Sequence, residues 1–276
     1  MKYFRPASLE EACRILAEPG AQGLAGGTDL MVGLGRSFPW PETIVDLKTL
    51  PDLYGIERRG GVLRIGACAT LAQMAAHAEI AKLPSIGEAC RSFAARQIRN
   101  RATLGGNLVN ASPAADLVPP LMTLEAVCVT DRRRIPLESF STGPGSTILE
   151  PGEILLAVEL PIPPEGSHAF FVKLAPRDLM AIAIVNLAGL LVLRDGKVAL
   201  ARIALGSVAP TVIRAKRSEA VLENHPLDER RIAEIALMAA EEAMPIDDIR
   251  ASAKYRRLMV ERILAWELSK LEKALA

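Results

Sequence analysis

Residues 98–116, IRNRATLGGNLVNASPAAD, carry the clearest signal in this chain. The two adjacent glycines have no Cβ, so their backbone N–H groups can approach a ligand closely. Successive N–H groups that curve around one point form a concavity for an anion such as a phosphate. The neighbouring Thr and Asn side chains add donors at its rim. A single segment of this kind is more often an ordinary turn than a binding site.

A second Gly-Gly segment of the same character lies earlier in the chain, at residues 24–30, LAGGTDL. Neither segment fits G-x-G-x-x-G or G-x-x-x-x-G-K-[ST], so a Rossmann or P-loop interpretation has little support. Each segment alone is compatible with a turn. Together they predict two contacts with one long diphosphate cofactor.

Composition excludes several classes of protein. The chain has 276 residues, half of them hydrophobic, which suffices for one large or two modest domains. Its 33 basic and 32 acidic residues give a net charge of +1, which argues against a nucleic-acid surface. Its apolar runs fall short of the ~18 residues of a membrane helix, and the N-terminal MKYFRPASLEEA has no apolar signal core. We expect a cytoplasmic protein without membrane insertion.

Cysteine and histidine spacing gives no indication of a metal centre. The four cysteines are Cys13, Cys68, Cys90 and Cys128, and no two of them have C-x-x-C spacing. The three histidines are scattered along the chain. We therefore expect no zinc or iron–sulfur site on this chain. The cysteines are interpreted as small buried hydrophobes in a reducing compartment.

Periodicity predicts mixed helices and strands as far as residue 160. Ser8 and Glu11 have capping-box spacing at the start of a helix that ends near Ala17. Thr70 is predicted to cap a helix over residues 71–78, and a longer helix is expected over 86–96. A short helix is predicted over 29–35, and strands over 23–25, 43–47, 62–66, 126–130, 134–136 and 154–160.

Prolines at 161, 163 and 164 with Gly166 form a turn-rich joint, which is the best candidate for a domain boundary. Beyond it, residues 168–174, 182–193 and 201–209 are predicted strands of an antiparallel sheet. Asp195-Gly196 is a strong signal for a hairpin turn. Helices are expected over 218–222, 228–242 and 251–275.

The two Gly-Gly segments resemble the flavin-binding segments of the FAD-carrying medium subunit of molybdenum hydroxylases. This family includes the middle subunits of bacterial xanthine dehydrogenase and aerobic carbon monoxide dehydrogenase. The resemblance runs nearly end to end, through YFRPASLEEA (3–12), SFAARQIRNRATLGGN (92–107), PGEILLAVELP (151–161), FFVKLAPRDLMAIAIV (170–185) and ASAKYRRLMVERIL (251–264). The segment just after residue 173, LAPRDLMAIAIV, carries fewer charged residues than the commoner versions of the family.

The resemblance implies an α+β fold in two parts. A two-lobed PCMH-type FAD-binding domain would occupy residues 1–166, with subdomains of about 1–55 and 56–166. A C-terminal α+β domain of the carbon monoxide dehydrogenase flavoprotein type would occupy residues 167–276.

The resemblance also implies which residues contact FAD. The first segment would surround the diphosphate with Gly23, Leu24, Ala25, Gly26, Gly27, Thr28, Asp29 and Leu30. The second would hold phosphate and flavin with Thr103, Leu104, Gly105, Gly106 and Asn107. The alternative is that these residues, including Thr28, only form ordinary turns and bind no ligand.

Four further residues match positions near the cofactor in the family. Phe93 and Leu155 would pack against the flavin ring, although both are also ordinary core residues. Asp116 would accept hydrogen bonds from the adenosine half, unless it only caps the following helical turn. Lys173 would lie near the pyrimidine end of the ring, where a cation favours the reduced flavin. Its alternative is an exposed sheet lysine.

We find no nucleophile–base pair, and electron transfer by a cofactor needs none. The resemblance implies an electron-transfer subunit with FAD on this chain. A large partner would carry the molybdenum cofactor and a small partner [2Fe-2S] clusters, as a dimer of heterotrimers. A free-standing flavoprotein oxidase or reductase is the second interpretation, and would need a substrate pocket over the flavin. A non-catalytic nucleotide-binding or assembly module is the third.

Overall fold

A computed structural model describes residues 1–34 and 39–275 of the chain. The N-terminal part forms a parallel sheet in the order β1-β3-β2. Its elements are β1 (Lys2–Phe4), α1 (Leu9–Leu16), β2 (Ala21–Leu24), α2 (Leu30–Gly33) and β3 (Thr43–Asp46). Ser8 caps α1 as predicted, whereas the Glu11 carboxylate accepts from the N–H of Ala7. Gly35, the expected end of α2, lies outside the described residues.

The next part is a five-stranded antiparallel sheet in the order β4-β5-β10-β6-β7, with short helices beside it. Thr70 caps α3 as predicted, and its side chain also forms a capping box with Gln73. In chain order the elements are β4 (Ile56–Arg59), β5 (Val62–Gly66), α3 (Leu71–Ala76), α4 (Ala78–Ala81), α5 (Pro84–Ser92), α6 (Arg96–Arg99), α7 (Leu104–Val109), α8 (Val118–Thr123), β6 (Val127–Thr130), β7 (Arg134–Pro136), β8 (Ser141–Gly143), β9 (Ser146–Thr147) and β10 (Leu155–Pro161).

The helix predicted over 86–96 is shorter than expected. It spans Pro84–Ser92, because Phe93 is extended, with φ of −74° and ψ of 120°, and Ala94 follows in a left-handed conformation with φ of 42°. The guanidinium of Arg99 stabilises this turn, with Nη1 donating to the carbonyl of Phe93 at 2.8 Å. The break separates Phe93 from the helix and places it at the turn.

The C-terminal part is an antiparallel sheet in the order β11-β12-β13-β14, formed by β11 (His168–Leu174), β12 (Val185–Arg194), β13 (Lys197–Gly206) and β14 (Ile213–Arg214). Asp195 and Gly196 have φ of 51° and 73°, the two positive values that a type I′ hairpin turn requires. That turn was predicted; because it is tight, β13 begins at Lys197 rather than at residue 201. Three helices follow, α9 (Lys216–Leu222), α10 (Glu229–Glu242) and α11 (Ala253–Leu275).

The two faces of this sheet are buried in different cores. Side chains such as Ala188 and Leu190 pack with the core of the preceding part of the chain. Leu187 and Leu205 pack with the three terminal helices on the opposite face. Burial of one such leucine stabilises the fold by roughly 1.5–3 kcal/mol. On the first face, β11 packs against α5 and β12 packs against α8.

Across residues 1–34 and 39–275, none of the helices combines the length and apolarity needed to cross a bilayer.

Candidate cofactor site

The two Gly-Gly segments meet in the structure. A Cβ on Gly26 would overlap the backbone carbonyl of Arg101 and would lie 3.1 Å from the Cα of Ala102. Only glycine permits this contact between backbones. The contact joins the turn after β2 to the turn before α7, as expected for two segments that hold one ligand.

The first segment offers free backbone donors. Within the described residues, the N–H groups of Gly26, Gly27, Thr28 and Asp29 reach no protein acceptor. The chain turns at Gly27, whose φ of 73° suits glycine. Successive free N–H groups on a half-buried turn suit an anion. At the ends of this segment, Gly23 packs on Leu47 and Leu30 begins α2, with Leu24 and Ala25 between strand and turn.

The second segment differs from the expectation of free N–H donors. It forms the first turn of α7, and its N–H groups already have protein acceptors. Leu104 donates to the carbonyl of Ala69 at 3.0 Å, and Gly105 donates to that of Ala67 at 2.8 Å. The N–H of Gly106 is capped by Thr103 Oγ1 at 3.1 Å. The prediction of an N–H concavity here was wrong, because the carbonyls of Ala69 and Ala67 and the cap of α7 occupy these donors.

The second segment can contact a ligand through its side chains and its exposed surface. Gly106 is exposed, and Asn107 Oδ1 is buried without a hydrogen-bond partner in the described part of the chain. A buried acceptor without a donor is costly unless a ligand supplies one. Gly105 serves packing instead, because a Cβ there would lie 2.8 Å from the Cβ of Ala67.

Asp116 and Lys173 form a buried ion pair. Lys173 Nζ lies 2.6 Å from Asp116 Oδ2, and their side chains are 8% and 5% exposed. Asn186 Nδ2 donates to the other carboxylate oxygen at 3.0 Å. Burial raises the pKa of the Asp116 carboxyl, and the charge of Lys173 and the hydrogen bonds from Lys173 and Asn186 offset this only in part. The lysine therefore does not present an isolated charge.

Phe93 and Leu155 both pack with the main hydrophobic core but differ in exposure. Phe93 is half-buried, and Lys173 Nζ is 3.5 Å from the carbonyl of its chain neighbour Ser92. Leu155 is 5% exposed at the start of β10. The structure thus places the Asp116–Lys173 pair beside the Ser92–Phe93 turn, and buries Leu155 in the core.

Asn186 was missed by the sequence analysis. It is fully buried in β12, within the apolar stretch VNLAGLLVL. One polar amide in an otherwise apolar buried strand was the available signal, because such a group needs a hydrogen-bond partner.

Cys68, Cys90 and Cys128 are buried as predicted, whereas Cys13 is half-buried. Burial raises the pKa of the Cys90 and Cys128 thiols to about 12. In the described ranges, no three His, Cys, Asp or Glu side chains cluster in a way that could hold a metal ion.

Comparison with known proteins agrees with this architecture. The model of the FAD binding domain in molybdopterin dehydrogenase matches residues 1–163. The model of the CO dehydrogenase flavoprotein C-terminal domain matches residues 170–268. The chain therefore belongs to the family of FAD-binding subunits of molybdopterin dehydrogenases, and is an α+β oxidoreductase subunit with an FAD-binding domain.

The relatives cover almost the whole chain. The xanthine dehydrogenase FAD-binding subunit of Escherichia coli is 35% identical over 269 residues, 94% of this chain and 91% of that protein. The carbon monoxide dehydrogenase medium chain of Afipia carboxidovorans is 33% identical over 265 residues, 93% of this chain and 91% of its own. The crystal structure of quinoline 2-oxidoreductase from Pseudomonas putida 86 superposes with a TM-score of 0.92 at 32% identity, covering 99% and 97% of the two chains.

Proposed function

We propose that this chain binds one FAD non-covalently where the two Gly-Gly segments meet, and passes electrons within a multi-subunit molybdenum hydroxylase. The four N–H donors of residues 26–29, which have no acceptor among the described residues, carry this proposal, together with the contact of Gly26 with Arg101. They fit the negative charge of a diphosphate without a basic side chain. FAD supplies the redox chemistry, and the protein supplies placement and electrostatics.

The site residues are proposed as follows. Residues 23–30 would contact the diphosphate. Residues 103–107 would contact phosphate and flavin through Asn107 and the open surface at Gly106. Phe93, Leu155 and Lys173 are assigned to the flavin ring. Asp116 was expected at the adenosine half, and its ion pair with Lys173 supports assigning it to the flavin side instead. Their mutual proximity supports this grouping for all except Leu155.

Family membership supports a proposal for the partners. A small partner subunit would deliver electrons from [2Fe-2S] clusters, and a large one would hold the molybdenum cofactor. The complex would be a dimer of heterotrimers in the cytoplasm, and an external acceptor would receive the electrons. The names of two relatives, an FAD-binding subunit and a medium chain, support a role within a larger complex.

We further propose a domain boundary in the proline-rich joint, with an FAD-binding domain over 1–166, divided near residue 55, and a C-terminal domain over 167–276. The separate sheets of the three regions support this division.

The test combines a spectrum with copurification. The full chain, purified with any partners, is expected to show a flavin absorption spectrum, and acid denaturation is expected to release all of the flavin. A chain without flavin would favour the nucleotide-binding or assembly module. Full substrate turnover by the isolated, metal-free chain would favour the free-standing flavoenzyme and contradict the proposal.

A further inference from the structure

A polar row crosses the C-terminal sheet. Lys173 on β11 is the direct cross-strand partner of Asn186 on β12, and Asn186 is the direct partner of Gly206 on β13. Asp116 lies over this row and contacts both polar members, Lys173 at 2.6 Å and Asn186 at 3.0 Å. Two neighbouring strands and the segment after α7 therefore meet at one carboxylate.

Gly206 makes room for the amide of Asn186. A Cβ at Gly206 would overlap Asn186 Oδ1 and would lie 3.2 Å from Pro119 Cγ. The missing side chain on β13 is thus matched to the polar side chain on β12. Asn186 and Gly206, two adjacent positions of a buried sheet, therefore contribute less apolar packing than two apolar side chains would.

Stability alone does not explain this arrangement. Every residue of β12 from Val185 to Val192 is buried, and the others are apolar. Asn186 Oδ1 has no hydrogen-bond partner among the described residues, so the amide is only half satisfied. A buried polar group without a partner costs free energy that an apolar side chain would not. What Asn186 provides is one directed N–H bond to Asp116.

We infer that Asn186 is a positioning residue: its amide fixes the Asp116 carboxylate, which in turn holds the Lys173 ammonium beside the Ser92–Phe93 turn. The C-terminal sheet would in this way complete the cofactor site that the Gly-Gly segments begin. This inference rests on the proposed function, because it requires FAD to bind beside this cluster.

The experiment is a double-mutant cycle on FAD affinity in the full chain. Asn186→Leu removes the amide at similar size, and Asp116→Asn removes the group on which it acts. We expect Asn186→Leu to raise the FAD dissociation constant about tenfold or more. In the Asp116→Asn background the same change should have an effect of less than about twofold. Additive effects, or an unchanged constant in Asn186→Leu, would overturn the inference.

A second variant keeps the amide but moves it. Gly206→Ala forces the end of the Asn186 side chain to shift, and should weaken FAD binding in the wild-type background only. Leu187→Ala is the matched control, because Leu187 is buried in the same strand but faces the opposite core. It should lower the thermal unfolding temperature and leave the FAD dissociation constant unchanged. If Leu187→Ala weakens FAD binding as much as Asn186→Leu does, the role of Asn186 is merely structural and the inference fails.

Failure of the proposed function has a different signature. If the wild-type chain binds no FAD, both the proposed function and this inference are contradicted. If the wild-type chain binds FAD and the cycle is additive, only the positioning role of Asn186 is lost.

Discussion

Gly26 lies directly against the backbone carbonyl of Arg101, in a space that no side chain could enter. Two turns from distant parts of the chain are thereby held together through their backbones. The N–H groups of residues 26–29 have no protein acceptors in the described part of the chain. The proposed binding surface for an anion therefore depends on the absence of one methyl group.

Replacement of Gly26 by alanine should separate the two segments. We expect the FAD dissociation constant of Gly26→Ala to rise at least about tenfold, equivalent to 1.4 kcal/mol. Gly61→Ala is the control, since a Cβ at that position meets nothing within 4 Å. Fluorescence titration of FAD into both apoproteins measures the difference. Equal affinities would show that the junction is not part of the cofactor site.

Gly106→Val tests the second segment. Gly106 lies in α7 without a positive φ, so backbone strain is not expected. A Cβ would instead lie 2.9 Å from Thr103 Oγ1 and disturb the helix cap, at a cost of about 0.5–2 kcal/mol. We expect the variant to fold with this loss, measured by urea unfolding, and to lose FAD because valine covers the exposed surface. Retention of stoichiometric FAD at normal affinity would contradict the assignment of Gly106.

Removal of the Lys173 ammonium should leave the buried Asp116 carboxylate without a charged partner. Lys173→Met leaves Asp116 without its counter-charge, and breaking a buried pair in this way costs roughly 3–5 kcal/mol. Burial already raises the Asp116 pKa, and the substitution should raise it further. A raised folded-state pKa means that the folded protein binds the proton more readily, so the loss should shrink as the pH falls below that pKa.

Chemical unfolding of Lys173→Met and wild type at pH 8 and pH 5 measures this effect. The difference in unfolding free energy should be larger at pH 8. The double variant Lys173→Met/Asp116→Asn should be more stable than Lys173→Met at pH 8, because it carries no unpaired charge. A pH-independent difference would mean that Asp116 is not the group left unpaired.

Local signals in the sequence predicted local structure well. The Asp195-Gly196 turn and the Thr70 capping box need only a few neighbouring residues, so their geometry could be inferred directly. The end of α5 could not, because it depends on the extended Phe93 and the left-handed Ala94 that follow it, and on a hydrogen bond from Arg99 several residues along the chain.

The candidate site was predictable as a set of segments but not as a set of contacts. Both Gly-Gly segments were identified, yet the N–H groups of Leu104 and Gly105 are used by carbonyls of Ala69 and Ala67. That competition arises from tertiary packing against the end of β5. Asp116 and Lys173 lie 57 positions apart in the chain, and no local pattern indicates that they pair.

The last prediction concerns acid stability, and centres on Glu153. Its carboxylate receives two N–H donors from Arg133 at 2.8 and 2.9 Å, the hydroxyl of Thr130 at 2.8 Å and the N–H of Glu150 at 2.9 Å. The hydrogen bonds from Arg133 are the largest cause that lowers its pKa to about 2. Glu153 lies just before β10, the central strand of the five-stranded sheet, and its side chain has no exposed surface. The network therefore links the start of β10 to the connection between β6 and β7.

A depressed folded-state pKa means that the unfolded chain binds the proton more readily. The stabilisation is therefore complete above the ordinary glutamate pKa and is lost as the pH falls toward about 2. Glu153→Gln should lower the unfolding free energy at pH 7 by roughly 1–3 kcal/mol, and the deficit should narrow in acid. Glu150→Gln is the control, because Glu150 is 58% exposed and its ion pairs with arginine contribute roughly 0–1 kcal/mol. Urea unfolding of both variants and wild type between pH 7 and pH 3 measures these losses of unfolding free energy. Equal losses in Glu153→Gln and Glu150→Gln at every pH would contradict this role for Glu153.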